Sequence, residues 1–144
     1  MLEKLLSVDM FLYLDTSSEE AKIKLFNKSG KIHDQKNWQS QKNQSEELLT
    51  EIDNILLKNN LNKSELFGII VNQGPGSYTG LRVGLSTANA IAFSLNIPIL
   101  GVKNGANSAK IKKIVSSFDK GSQKSLILPV YKYPAKITKP KPRP

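Results

Sequence analysis

The stretch FGIIVNQGPGSYTGLRVGLSTANAIAFSLNIPILGV, residues 67–102, decides the fold that the sequence predicts. An apolar run ends at a turn-rich loop, residues 73–77, and a helical stretch over residues 78–95 follows the loop. Pro98 stops that helix, and residues 97–102 are typical of another buried strand. The pattern predicts one strand–helix–strand crossover of a parallel α/β sheet.

Small side chains recur at every fourth position of the predicted helix, with leucines beside them. The stripe and the leucines proposed to act with it are Gly80, Leu81, Gly84, Leu85, Ala88 and Ala92. A helix that is apolar nearly all round is buried on more than one side. One side covers the sheet, and the other packs either within the same domain or against a partner's helix. We favour the partner, which predicts that Leu85→Asp or Ala88→Arg abolishes partner binding in a folded chain.

A second amphipathic helix is predicted over residues 45–59. Its apolar side chains follow the 3.6-residue period. Four of them complete the candidate partner interface: Leu48, Leu49, Ile52 and Leu56. Ser45 with Glu46 and Glu47 suits a helix start, because acidic side chains are favourable at the positive end of the helix dipole. The alternative, a helix packed on its own sheet, accounts for most of these residues.

Three strands are predicted before this helix. Residues 11–14 form a short apolar run typical of a central strand, and residues 21–26 alternate as a second strand. Residues 31–38 are more polar, which favours an edge strand. Together with the crossover, these segments predict one α/β lobe with a five-stranded mixed sheet and two main helices.

Two predicted loops carry groups able to bind an anion or a nucleotide. Asp15 and Thr16 follow the first strand, and Gly74, Gly76 and Ser77 lie in the turn-rich loop. Backbone N–H groups at a helix start can hold an anion, and a Mg²⁺ site needs an oxygen ligand. The alternatives are a strand–helix turn and an Asp-initiated hairpin turn, neither of which needs a ligand. We predict no cofactor.

The composition narrows the class of protein. The 144 residues suffice for little more than one domain. Cys is absent and His33 is the single histidine, so the sequence predicts no metal site and fits a reducing cytoplasm. No apolar run approaches the roughly 20 residues of a membrane span. We expect a cytoplasmic protein that makes no membrane contact.

Positive charge is concentrated at the C-terminal end. Residues 1–102 carry ten Lys or Arg and eleven Asp or Glu side chains. Residues 103–144 carry eleven Lys or Arg side chains and one Asp. The sequence thus divides into a near-neutral lobe, residues 1–103, and a basic segment, residues 104–144.

The basic segment is predicted to hold a linker, a short amphipathic helix around residues 111–118, and an extended stretch or short strand over residues 126–131. A mobile tail rich in proline and lysine follows. Basic side chains of this kind suit nucleic-acid phosphates, although a solvated tail explains them equally well. The candidate RNA contacts are Lys132, Lys136, Lys139, Lys141 and Arg143.

The glycine-rich loop and the strand after the helix carry a family resemblance. GPGSYTGLRVGL at residues 74–85 and IPILGV at residues 97–102 resemble the signature of TsaB (YeaZ-like) proteins. TsaB is the dimerisation subunit of the bacterial complex that makes threonylcarbamoyladenosine beside the tRNA anticodon. The resemblance implies the fold of the sugar kinase, heat-shock ATPase and actin superfamily, whose lobes are ribonuclease H-like. The family normally has a second lobe after this strand, so a compact variant is implied.

The resemblance also implies a function. We expect a non-catalytic subunit that binds a TsaD-like catalytic subunit through the two helices as a heterodimer and activates it. A homodimer is expected when that partner is absent, and a TsaE-like ATPase and tRNA are further partner predictions. The alternatives are a small nucleotide-dependent transferase that uses Asp15 and residues 74–76, and an RNA-binding module that uses the basic tail.

Overall fold

The computed structural model describes residues 9–118 and 126–131, and a five-stranded mixed sheet forms its centre. The strands are β1 (Met10–Asp15), β2 (Glu20–Asn27), β3 (Ile32–Gln39), β4 (Leu66–Gly74) and β5 (Ile99–Lys103). They lie in the order β3-β2-β1-β4-β5. β1 pairs antiparallel with β2 and parallel with β4, and β4 pairs parallel with β5. This topology is the predicted ribonuclease H-like lobe.

Three helices pack on the two faces of the sheet. They are α1 (Gln44–Lys58), α2 (Tyr78–Leu95) and α3 (Ser108–Val115), and a short 3₁₀ turn at Lys63–Glu65 precedes β4. α1 and α2 share one hydrophobic core on the first face. α3 packs in a second core on the opposite face.

Strand β4 explains why the sequence predicted the crossover so directly. Ile69 and Val71 point into the core beneath α1 and α2, whereas Ile70 points into the core beneath α3. A strand that is buried on both faces is a nearly continuous apolar run. The turn-rich loop therefore stands out at its end and marks the start of α2.

The ends of the helices follow local hydrogen-bonding chemistry. Ser77 is the N-cap of α2, because its Oγ accepts a hydrogen bond from the Gly80 N–H at 3.2 Å. Asn96 ends the helix in a left-handed conformation, with φ of 56°. Asn107 caps α3 by accepting a hydrogen bond from the Lys110 N–H at 2.9 Å.

The polar edge strand is joined to the end of α1. Asp34 on β3 accepts a hydrogen bond from the Asn59 side chain at 2.9 Å and lies 3.3 Å from the Lys58 ammonium group. The Asn59 hydrogen bond lowers the pKa of the Asp34 carboxyl group, and Lys58 acts in the same direction. The edge strand is therefore joined to the helix layer by its polar side chains.

The C-terminal segment is described only in part. Residues 126–131 belong to no strand, which agrees with the extended alternative of the prediction. The predicted tail, with Lys132, Lys136, Lys139, Lys141 and Arg143, lies outside the described residues. Within the described part of the chain, no helix combines the length and the apolar character needed to cross a membrane.

Candidate functional site

The carboxyl ends of β1 and β4 bring the two predicted ligand loops together. Because these strands are parallel neighbours, Asp15 and Thr16 lie beside the loop that contains Gly74, Gly76 and Ser77. The Ser77 N–H donates a hydrogen bond to the Ser17 carbonyl oxygen at 2.7 Å. A Cβ atom on Gly76 would collide with that same carbonyl oxygen. The two loops therefore form one packed cluster, which we call the strand-end cluster.

Hydrogen bonds from Ser17 and Tyr13 occupy the carboxylate of Asp15. Its Oδ1 accepts from the Ser17 N–H at 3.0 Å and from the Ser17 hydroxyl at 2.6 Å. Its Oδ2 accepts from the Tyr13 hydroxyl at 3.3 Å. Burial raises the pKa of the Tyr13 hydroxyl, and the charge of Asp15 raises it further, so Tyr13 remains a donor. This arrangement is the Asp-initiated turn that the sequence left as the alternative to a metal ligand.

Three backbone donors in and directly after the glycine-rich loop also have partners within the chain. The Gly74 N–H donates to the Asn72 side-chain oxygen at 2.9 Å, and the Gly80 N–H donates to the Ser77 hydroxyl. The Ser77 N–H donates to the Ser17 carbonyl oxygen, and Pro75 has no N–H group. These hydrogen bonds hold the loop in place, so the three donors are not free to bind a phosphate.

Asn72 is a central residue of the cluster that the sequence analysis did not identify. Its side chain is 3% exposed, and its oxygen accepts from the N–H groups of Gly74 and Gly105 at 2.9 and 3.1 Å. Its side-chain nitrogen donates to the Ser17 hydroxyl at 3.1 Å. A polar residue that directly follows the apolar run of β4 was the available signal.

The stripe of small residues on α2 faces the chain's own sheet. Thr16 donates a hydrogen bond from its hydroxyl to the Gly80 carbonyl oxygen. A Cβ atom on Gly80 would collide with the Thr16 carbonyl oxygen, and one on Gly84 would collide with the Thr16 hydroxyl. Ala88 and Ala92 continue the stripe into the core. The structure corrects the prediction here, because the small residues let α2 approach β1 rather than a partner's helix.

Most other residues of the predicted interface are buried in the same core. Those with at most 3% exposure are Leu48, Ile52, Leu56, Leu81 and Leu85. Leu49 is the exception, with 42% of its surface exposed. The expectation that Leu85→Asp or Ala88→Arg leaves the chain folded is therefore also corrected, because both changes would place a charge in the core.

Gly80→Ala tests this packing, because an exposed helix and the observed contact predict opposite changes in the free energy of unfolding. In an exposed helix the change stabilises by about 1 kcal/mol, because alanine has the higher helix propensity. Here we expect a loss of about 2 kcal/mol in the free energy of unfolding, since the new methyl group meets the Thr16 carbonyl oxygen. Urea unfolding measures the difference. Ser86→Ala, at an exposed position of the same helix, should change stability by less than about 0.5 kcal/mol. A stabilising Gly80→Ala change would contradict the packing.

The solvent side of α1 and α2 carries a different set of side chains. Small residues recur there on α2 at Ser86, Ala90 and Ser94, all exposed. The apolar side chains of Leu49 on α1 and Phe93 on α2 are 42% and 91% exposed. Ser45 of α1 lines a common cleft with Thr79 and Val83 of α2. We call this surface, defined by Ser45, Leu49, Thr79, Val83, Ser86, Ala90, Phe93 and Ser94, the outer helix face.

An extended segment is docked beside α2. The Asn89 side chain accepts from the Ile127 N–H at 2.9 Å and donates to the Ile127 carbonyl oxygen at 2.8 Å. Gln73 donates from its side chain to the Leu128 carbonyl oxygen at 3.0 Å. Tyr131 stacks on Tyr78 with ring centroids 4.8 Å apart. These contacts, which the sequence analysis missed, hold residues 126–131 against α2 and the end of β4.

Metal-ligating side chains do not cluster in the part of the chain that the structure describes. Across residues 9–118 and 126–131, no group of three or more His, Cys, Asp or Glu side chains could hold a metal ion. His33 lies exposed on the edge strand β3, as predicted.

Comparisons with known proteins match the region that contains the glycine-rich loop and the helices. The family model described as TsaD, tRNA N6-adenosine threonylcarbamoyltransferase, matches residues 31–119. The tRNA threonylcarbamoyladenosine biosynthesis protein TsaB of Haemophilus influenzae is 33% identical over 93 residues, which cover 65% of this chain and 39% of that protein. TsaB of Buchnera aphidicola subsp. Baizongia pistaciae is 32% identical over 113 residues, covering 73% and 50%.

A solved structure shows the same similarity in three dimensions. YeaZ from Pseudomonas aeruginosa superposes with a TM-score of 0.60 at 26% sequence identity, and the match covers 66% of this chain and 44% of YeaZ. The chain thus spans half or less of the length of these relatives.

Proposed function

Because the chain belongs to the family that the TsaD model describes and is TsaB- or YeaZ-like within it, we propose that it acts in tRNA threonylcarbamoyladenosine biosynthesis. Its role is that of a non-catalytic subunit, which binds and activates a TsaD-like catalytic subunit for modification of the adenosine beside the anticodon. The similarity to TsaB carries the proposal, and the family match over residues 31–119 includes α1, α2 and the glycine-rich loop.

The outer helix face is the surface that we propose for the catalytic subunit. α1 and α2 lie together on one face of the sheet, and their core-facing sides are already filled. Exposed apolar side chains at Leu49 and Phe93 offer surface that a partner would remove from water. Small side chains at Ser86 and Ala90 would let a partner's helix approach closely. The same face would close a homodimer when the catalytic subunit is absent.

The strand-end cluster supports a non-catalytic role better than a nucleotide-dependent transferase. The carboxylate of Asp15 already accepts hydrogen bonds from Ser17 and Tyr13. The loop donors at Gly74 and Ser77 are likewise paired within the chain. Activation would then come from binding one conformation of the catalytic subunit more tightly than another. Titration of the chain with ATP tests this part, and micromolar affinity would favour the transferase.

Co-expression with the TsaD-like protein of the same genome tests the central proposal. A pull-down followed by mass measurement of the complex should recover both chains together. Recovery of a well-folded chain without the catalytic subunit would contradict the proposal. Adding a TsaE-like ATPase and tRNA to the recovered pair would test these further proposed partners.

A matched pair of variants tests the surface. We expect Ala90→Arg to weaken binding of the catalytic subunit at least tenfold, because a long cation would separate helices that pack closely. Ala109→Arg is the control, since Ala109 is an exposed alanine on α3, across the sheet. Titration calorimetry on both variants gives the affinities, and circular dichroism verifies the fold. Wild-type affinity in Ala90→Arg would place the partner elsewhere.

A further inference from the structure

Exposed lysines collect on the side of the molecule that carries α3. Lys112 and Lys113 lie on the solvent side of α3, because Ile111 and Val115 hold the helix against the sheet. Lys28 and Lys31 lie in the tight turn between β2 and β3 and are also exposed. We call these four lysines the basic face.

The turn and the helix are in direct contact, so the four lysines form one surface. Gly30 lies at the turn with φ of +83°, and a Cβ atom there would lie 2.5 Å from the Cβ of Lys112. The absence of a side chain at Gly30 thus lets the turn rest on α3. Phe26, next to the turn, shares the buried core with Val115.

Carboxylates do little to neutralise this surface. Asp9 lies 3.9 Å from the Lys28 ammonium group, but both side chains are largely exposed, and such pairs contribute little. Lys110 adds a further positive charge beside the face, with its ammonium group donating to the carbonyl oxygens of Lys103 and Gly105. α3 itself contains no acidic residue.

The sheet separates this positive charge from negative charge on the other face. α1 carries most of the acidic side chains there, at Glu46, Glu47, Glu51 and Asp53. A polyanion that approaches the chain would therefore be steered toward α3 and away from α1. The basic face also lies across the sheet from the outer helix face, so a protein bound to α1 and α2 would leave it uncovered.

We propose that the basic face binds the phosphate backbone of a folded RNA. The choice of RNA rests on the proposed function, whereas the choice of a phosphate polymer rests on the lysines alone. Lysine ammonium groups are compact charges that contact phosphates without reading sequence. The contact positions an RNA on the molecule and leaves sequence recognition to other groups.

A charge-reversal pair tests the proposal on the full chain. The probe is an unmodified tRNA transcript, and its affinity is measured by fluorescence anisotropy between about 50 and about 300 mM salt, over which the Debye length falls from about 14 to about 6 Å. We expect Lys112→Glu with Lys113→Glu to bind about tenfold more weakly at about 100 mM salt. The slope of log affinity against log salt should fall by about 1.5, because each lost phosphate contact removes about 0.7 to 0.9.

The control carries the same change in net charge on exposed lysines of the other side. It combines Lys36→Glu on β3 with Lys42→Glu before α1, and it should lose less than twofold in affinity. Lys28→Glu with Lys31→Glu provides a second variant of the face, and thermal unfolding verifies that all variants are folded.

Three results would overturn the proposal. The first is an equal loss of tRNA affinity in the Lys112 and Lys113 variant and in the Lys36 and Lys42 control. The second is an unchanged tRNA affinity in the Lys112 and Lys113 variant. The third is a chain that binds anionic vesicles or polyglutamate but not tRNA. The assay contains no catalytic subunit, so its failure is distinguishable from failure of the pull-down that tests the proposed function.

Discussion

Ala88→Arg is expected to unfold the chain, whereas Ala90→Arg, two residues further along the same helix, leaves it folded. Ala88 is 0% exposed and lies in the core formed by α1, α2 and the sheet. An arginine there would bury an unpaired charge and overfill a packed site. We expect the loss to exceed about 4 kcal/mol, which approaches the roughly 5 kcal/mol at the low end of the stability of native domains.

The same substitution at Ala90 adds an arginine to solvent. Its position on the outer helix face leaves room for the long side chain, so the free energy of unfolding should change by less than about 0.5 kcal/mol. Far-ultraviolet circular dichroism and urea titration on the two variants measure both effects. A cooperative transition near the wild-type midpoint in Ala88→Arg would show that the stripe does not face the core.

This pair of variants addresses the point at which sequence reasoning chose the wrong side of α2. Apolar residues lie on most sides of α2, so the period alone indicates that the helix is buried on more than one side. It does not say which side meets the sheet. That choice depends on Thr16, which lies 64 residues before Gly80 and fills the space left by the glycines. The glycines at positions 80 and 84 are explained by a close contact between helix and strand.

The elements and their order were predictable because local chemistry and global packing agree. The buried run of β4, the turn residues after it and Pro98 each mark a boundary in the sequence. Local signals of this kind act within a few residues, so one sequence is enough to show them.

The polar residues that hold the cluster together were not predictable in the same way. Asn72 pairs with groups 55 residues earlier and 33 residues later in the chain, and Asn89 pairs with a backbone 38 residues later. No period or turn pattern encodes such distances. Asp15 shows the same limit, since its sequence context fits both a metal ligand and a turn, and its partners in the fold favour the turn.

Asn72→Leu should be the second most damaging change, with a loss of about 3 kcal/mol in the free energy of unfolding. Leucine branches at Cγ as asparagine does, but it is larger and can neither donate nor accept hydrogen bonds. The N–H groups of Gly74 and Gly105 would then lack the acceptor that they share in the native chain. Each unsatisfied donor costs about 1 to 3 kcal/mol when water cannot reach it, and Gly74 is buried.

Asn89→Leu is the matched control, because it also removes a side chain that makes hydrogen bonds to backbone groups. Its partner Ile127 is only half-buried, so water can replace the lost bonds, and we expect a loss of about 1 kcal/mol. Urea unfolding compares the two variants, and hydrogen exchange at the Gly74 and Gly105 amides reports the cluster directly. Equal losses would mean that Asn72 is one polar contact among many. A larger loss at Asn72, with faster exchange at both glycines, would establish that this side chain joins the first loop, the glycine-rich loop and the segment after β5 into one unit.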